Sequence, residues 1–125
     1  MQHSPAFLAL CEAARAEVTE VSLEQLRQQL GEGSKALLID VREDHEWYNG
    51  HLPGAIHMGR GIIERDIEKR VPERHRPLYL YCGGGYRSAL VAVNLAAMGY
   101  QQVFSVAGGY RGWIDKGWPV AIPED

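Results

Sequence analysis

Cysteine is scarce in this chain: Cys11 and Cys82 are the only two among 125 residues. So few thiols exclude a disulfide framework, and their separation fits neither a CxxC pair nor zinc-ligand spacing. A chain with this usage suits a reducing, cytoplasmic setting. Basic excess is missing as well. Lys and Arg number 13 against 16 Asp and Glu, a formal net charge of −3, and broad nucleic-acid binding, which favours a basic surface, is thereby disfavoured. No apolar run approaches the length of a membrane-spanning helix. The opening MQHSPAFLALCEAARAE has a short apolar stretch, but no basic segment precedes it and Glu12 interrupts it, so it does not read as a signal peptide. His3, His45, His51, His57 and His75 follow no ligand spacing, and no metal is expected. The triple glycine at Gly83, Gly84 and Gly85 lacks the Lys-Ser/Thr of a P-loop. Internal repeats and low-complexity segments are absent too.

What remains is an ordinary globular balance, 46% hydrophobic and 23% charged, enough for one domain with a real core. Residues 5–16 carry a helical pattern with Phe7, Leu10, Cys11 and Ala14 on one face. EVTEVS reads as a first strand. Ser22 opens the helix SLEQLRQQLG, with Gln25 placed for a capping box and Gly31 as the stop. ALLIDV, GAIHM, LYLYC and QQVFSV supply four further strands. Between and after them lie the helical segments EDHEWYNG, GRGIIERDIEKRV, YRSALVAVNLAAMG and GYRGWIDKG. Strands alternating with helices predict an α/β fold, a five-stranded and mostly parallel sheet with helices on both faces. Residues 1–16 form an added helix and residues 17–125 the domain proper.

In such sheets ligands sit beyond the carboxyl ends of the strands. Cys82 falls at the carboxyl end of the fourth strand and is followed by Gly83, Gly84, Gly85, Tyr86, Arg87 and Ser88. The next helix begins near Tyr86 or Arg87, so its first N–H groups and dipole face the loop. Glycine lets successive N–H groups turn inward as an anion nest. A helix start and a nearby arginine both favour a thiolate, the reactive form of cysteine. A cysteine ending a buried strand is more often a small hydrophobe. Cysteine, three glycines, arginine and a helix start in one loop favour the reactive reading instead.

Three stretches carry a family resemblance. LLIDVREDHEWYNGHLPGAIHM contains Asp40-Val41-Arg42-Glu43, then Glu46, then Gly50-His51-Leu52-Pro53-Gly54-Ala55. YCGGGYRS holds the loop. VAGGYRGWIDKGWPV contains Gly108-Gly109, Trp113 and Gly117-Trp118-Pro119-Val120. In that order and spacing they resemble the rhodanese family of sulfurtransferases, from about residue 18 to 121. The resemblance implies a five-stranded α/β domain in which Cys82 takes a sulfane sulfur, holds it as a persulfide and passes it to a nucleophile. Thiosulfate or another persulfide is then the donor, and cyanide or a thiol the acceptor. A protein donor or acceptor is a further partner class. The cysteine is the carrier, so no bound cofactor is required. The N–H groups of Gly83, Gly84, Gly85, Tyr86 and Arg87 would hold the outer sulfur, Arg87 would attract an anionic donor, and Ser88 would donate a hydrogen bond or cap the helix.

Other residues carry paired readings. Asp40 either braces the Cys82 loop by accepting its N–H groups or joins Arg42 in an ion pair. For Arg42 and Glu46 the ion pair, with Glu46 joining Asp40, is preferred to a place in the pocket. Arg60, just past the third strand, either faces the pocket as a second cation or is a solvated arginine paired with Glu64. Tyr86 walls the pocket or packs outward. Trp47, Trp113 and Trp118 read as core or rim packing, His51 as a turn residue, Cys11 as a packing thiol. Two other functions compete with sulfur transfer. One is a non-catalytic interaction module, or a protein-to-protein sulfur relay, on the same fold. The other is phosphatase-like hydrolysis, disfavoured because four residues rather than five separate Cys82 from Arg87, a ring better matched to one sulfur than to a phosphoryl group.

Overall fold

The computed structural model describes residues 3–123. Five strands form one sheet: β1 (Thr19–Val21), β2 (Leu37–Asp40), β3 (Ile56–His57), β4 (Leu78–Tyr81) and β5 (Val103–Val106). Their order is β1-β5-β4-β2-β3, and every neighbouring pair is parallel. Among the described residues six helices accompany them: α1 (Pro5–Glu17), α2 (Leu23–Gln29), α3 (Asp44–Tyr48), α4 (Ile63–Arg70), α5 (Tyr86–Ala97) and α6 (Gly109–Asp115). The expected α/β fold is present.

Side-chain alternation along the strands sorts the core into two layers. From β4, Leu78 and Leu80 face the layer shared with Ile63 and Ile67 of α4 and Val91, Ala92 and Leu95 of α5. Tyr79 and Tyr81 face the other layer, with Leu23 and Leu26 of α2 and Trp113 of α6. β4 is buried throughout because both its faces are covered and both its edges paired. Ser22 and Gln25 form the expected reciprocal cap: the Gln25 N–H donates to Ser22 Oγ at 3.0 Å and the Ser22 N–H to Gln25 Oε1 at 2.7 Å.

The near-continuous apolarity of α5 has a specific cause. One side packs on the sheet and the other beneath α1, where Cys11 and Ala14 meet Ala89 and Leu90. The apolar stripe of α1 thus runs through Phe7, Cys11 and Ala14. Leu10, expected on that stripe, is 56% exposed and points to solvent. Burial also pushes the Cys11 thiol above its usual pKa, which suits a packing role.

The strand order places the site. The connection leaving β2 runs toward β3 and the one leaving β4 toward β5, so the two diverge. A crevice opens where they part, beyond the carboxyl ends of β2 and β4. Cys82 follows β4, and Arg42 to Glu46 follow β2.

Candidate active site around Cys82

Cys82 ends the run of alternating β4 residues and turns its side chain to the α5 side, where it is 1% exposed. The chain then curls through three glycines into α5. Gly85, at the N-cap, has φ +96°, a left-handed conformation that favours glycine. That turn aims donors back at the sulfur. The Gly85 N–H reaches Cys82 Sγ at 3.1 Å, and the Ser88 N–H at 3.5 Å. Ser88 Oγ also lies 3.5 Å from the sulfur and 2.8 Å from Ser105 Oγ of β5. The sulfur therefore sits among two N–H donors and a hydroxyl. Gly83, Gly84, Tyr86 and Arg87 ring the mouth without bonding it.

The loop is held from outside as well. Tyr110 N–H donates to Cys82 O at 2.8 Å and Arg111 N–H to Gly83 O at 3.0 Å. These donors open α6, where N–H groups lack helical partners. Pulling the carbonyls outward leaves the loop's N–H groups on its inner side. The approach requires glycine at 109: its φ is +53°, and a Cβ there would overlap the carbonyl oxygen of Cys82.

Arg87 does not face the thiol alone. Its guanidinium makes a two-pronged pair with Glu46 of α3, Nη1 to Oε1 at 2.8 Å and Nη2 to Oε2 at 3.1 Å. Such fork-to-fork bonds are among the stronger ion pairs. Arg87, helped by the N–H of Glu43, holds the Glu46 carboxyl down to a pKa of about 2. The expectation that Glu46 joins Asp40 and Arg42 is thereby corrected. Glu46 lies in the first turn of α3, beside the Cys82 loop, so its carboxylate meets Arg87 instead.

Asp40 and Arg42 bind one another. Both project from the same side at the end of β2, two residues apart. Arg42 Nη2 lies 2.8 Å from Asp40 Oδ2, and the Arg42 N–H 2.8 Å from Oδ1. Arg42 also donates to Gly50 O at 2.7 Å and stacks over Tyr110, 4.1 Å from its ring centroid. Both are buried. Asp40 accepts from Arg42 and not from the N–H groups of the Cys82 loop, so the bracing role is replaced by an ion pair that fixes the β2 exit. Arg60 is exposed and lies outside the cavity at Cys82. Glu64 accepts from Asn94 at 2.8 Å instead of pairing with Arg60.

Above the loop lies a cavity of about 610 Å³. Tyr86 walls it, and the added N-terminal segment contributes His3, Ser4 and Phe7. His3 stacks edge-on to Tyr86 at 4.8 Å and lies 5.1 Å from Phe7. Across the mouth stand Glu43, His45 and Arg111. Sequence reasoning missed Ser105, Gly109, Arg111 and these N-terminal side chains. Only the Gly108-Gly109 pair offered a local signal. Among the described residues no group of three or more His, Cys, Asp or Glu is placed to hold a metal ion.

A family model for the rhodanese-like domain matches residues 22–116. The chain belongs to the rhodanese-like family. This rhodanese-like domain is 31% identical over 107 residues to a sulfurtransferase of Allochromatium vinosum, a match covering 86% of this chain and 98% of that protein. It is 29% identical over 77 residues to the thiosulfate sulfurtransferase GlpE of Coxiella burnetii, covering 62% and 70% of the two. YrkF of Bacillus subtilis is 32% identical over 101 residues; the match covers 79% of this chain, which spans about half (52%) of that longer protein. Among solved structures, the polysulfide-sulfur transferase homodimer of Wolinella succinogenes superposes with a TM-score of 0.80 at 27% identity, covering 95% of this chain and 89% of that one. A Rhodopseudomonas palustris protein of unknown function, described as a "possible tyrosine phosphatase", gives 0.82 at 26% identity, covering 97% and 98%. The rhodanese-like match begins at residue 22, so α1 lies outside it.

Proposed function

We propose that the protein is a sulfurtransferase in which Cys82 is the sulfur carrier. One observation carries the reading: a buried thiol at a crevice floor receives the N–H groups of Gly85 and Ser88 and opens into a cavity. Those donors stabilise negative charge on sulfur before any substrate arrives, which is preorganisation of the kind that lowers barriers. The Cys82 thiolate attacks the outer sulfur of a donor. With thiosulfate, the donor S–S bond breaks, sulfite leaves with the electron pair, and Cys82–S–S⁻ forms. With an organic persulfide R–S–SH, the thiolate becomes Cys82–S–SH and R–S⁻ leaves. The outer sulfur then projects toward the mouth, within the ring of Gly83, Gly84, Tyr86 and Arg87. Cyanide or a thiol attacks it and regenerates the thiolate. The names of the Allochromatium, Coxiella and Wolinella relatives support sulfur transfer of this kind. The carrier needs no cofactor, and two unpaired cysteines suit a reducing, cytoplasmic setting.

The phosphatase description of the Rhodopseudomonas neighbour favours a second reading. Against it stand the short loop and the engagement of Arg87 by Glu46, which occupies the end-on fork of the guanidinium. Intact mass after treatment with a sulfur donor separates the two. A gain of one sulfur in the wild type, absent from Cys82→Ser, supports the carrier. Hydrolysis of an aryl phosphate with no such gain from thiosulfate or an organic persulfide overturns it.

A further inference from the structure

The cation expected to draw in thiosulfate is already engaged. Both terminal nitrogens of Arg87 are bonded to Glu46, and neither side chain is more than about a quarter exposed, at 27% and 26%. Around the cavity stand two arginines, Arg87 and Arg111, and two glutamates, Glu43 and Glu46. Their formal charges cancel. A small dianion therefore meets the loop's backbone N–H groups but no net positive side-chain charge that concentrates it. To take the end-on fork of Arg87 it must displace Glu46 from a bidentate pair, and that carboxylate, left beside it, repels.

The rest of the cavity has the opposite character. Its volume, about 610 Å³, falls in the range of organic-ligand pockets. One wall is a cluster of three rings, His3, Phe7 and Tyr86, with Phe7 and Tyr86 centroids 6.3 Å apart. Partly buried rings of this kind gain by covering carbon surface, about 25 cal/mol per Å². Thiosulfate has no carbon to offer them.

We propose that Glu46 is a specificity-determining residue that holds Arg87 away from oxyanions. The natural donor is then a low-molecular-mass organic persulfide whose carbon body lies against Phe7 and Tyr86. This rests on the reading of Cys82 as the sulfur carrier. In the transfer, Cys82–S⁻ and R–S–SH give Cys82–S–SH and R–S⁻: the donor S–S bond breaks, the new one forms, and the outer sulfur keeps its proton. Glu46 touches none of these atoms. It acts through Arg87.

The test is the rate of sulfur loading onto Cys82, followed by intact mass, with thiosulfate and with cysteine persulfide as donors. The wild type is expected to load from the persulfide at least about tenfold faster than from thiosulfate. Glu46→Gln keeps an oxygen to accept the Glu43 N–H but loses the charge. It is expected to raise thiosulfate loading about tenfold, in line with freeing one charge-assisted contact. The gain should shrink at high salt and vanish in Glu46→Gln/Arg87→Gln, a coupling that general loosening of the fold would not produce. Phe7→Ala should narrow the persulfide-to-thiosulfate ratio. Thermal unfolding of each variant checks that it is folded. Wild-type loading that favours thiosulfate, or a Glu46→Gln variant with unchanged thiosulfate loading, overturns this inference and leaves the carrier reading intact. A wild type that loads from neither donor, with Cys82 still open to alkylation, overturns both.

Discussion

Ser88 and Ser105 place their hydroxyl oxygens 2.8 Å apart beneath the Cys82 sulfur, joining the start of α5 to β5. Both are fully buried, and each is the other's hydroxyl partner. A hydroxyl left alone there carries a desolvation penalty. Ser105→Ala removes one hydrogen bond and leaves Ser88 its contact with Cys82, so it is expected to cost about 1 kcal/mol by denaturant unfolding. Sulfur loading should slow only modestly, because Ser88 keeps its contact with Cys82. Ser88→Ala leaves the buried Ser105 hydroxyl without that partner, so it should cost more, about 1–3 kcal/mol, and slow loading several-fold more. Equal loading rates in the two variants would count against a role for the Ser88 hydroxyl at sulfur.

Cys82→Ser should abolish sulfur loading while leaving the unfolding midpoint close to that of the wild type, since the smaller side chain fits the same space. Alkylation followed by mass analysis should find Cys82 as the reactive thiol. Cys11, buried between α1 and α5 with its pKa raised, should stay unmodified until the protein unfolds. Early modification of Cys11 would contradict this assignment.

Gly109→Ala is expected to be severe. The new Cβ would meet backbone, the Cys82 carbonyl, at a residue with φ +53°. Strain of this kind costs about 1–3 kcal/mol even where space exists, and here there is none. Thermal unfolding should report lost stability, and loading should fall with it, because the same displacement moves Cys82. Gly33, with φ +83° and open space around it, provides a control in which strain acts without overlap.

Asp40→Ala strands the Arg42 guanidinium in a buried site. Removing one partner of such a pair typically costs about 3–5 kcal/mol. The loss should appear in denaturant unfolding, with the remaining Arg42 contacts to Gly50 O and Tyr110 too few to offset it. An Asp40→Ala variant of wild-type stability would refute the ion-pair role.

Acid should weaken the fold through Glu46. Its pKa is about 2 in the folded protein against an ordinary 4.5. Between those values the unfolded chain binds the proton and the folded one resists it. Glu46 thus contributes stability that is fully present above about 4.5 and is lost as pH falls toward 2. Urea unfolding from pH 6 down to pH 2.5 should show a steeper decline for the wild type than for Glu46→Gln. Parallel declines would exclude Glu46 as the source.

Local pattern was enough to read β4 and its loop: LYLYC alternates, the glycines interrupt, and the helix follows. The capping box at Ser22 and Gln25 and the all-round apolarity of α5 were equally legible, because each depends on residues a few positions apart. The partner of Arg87 was not, since Glu46 lies on another element and only the divergence of the chain at β2 and β4 brings them together. Leu10 was misassigned because four candidate apolar positions exceed the narrow stripe that α5 covers. Ser105 looked like an ordinary polar residue in a strand, and nothing near it in the chain announces Ser88. His3 and Phe7 reach the cavity only because α1 lies along α5.

The two hydrogen bonds from the start of α6 to the carbonyls of Cys82 and Gly83 bear on biosynthesis. A nascent chain that has emerged only as far as α5 possesses the cysteine but not its outer clasp. The complete loop geometry is then a late product of synthesis, closed only when residues 109–111 dock, and a chain stalled before that point holds Cys82 in a loop without its outer hydrogen bonds.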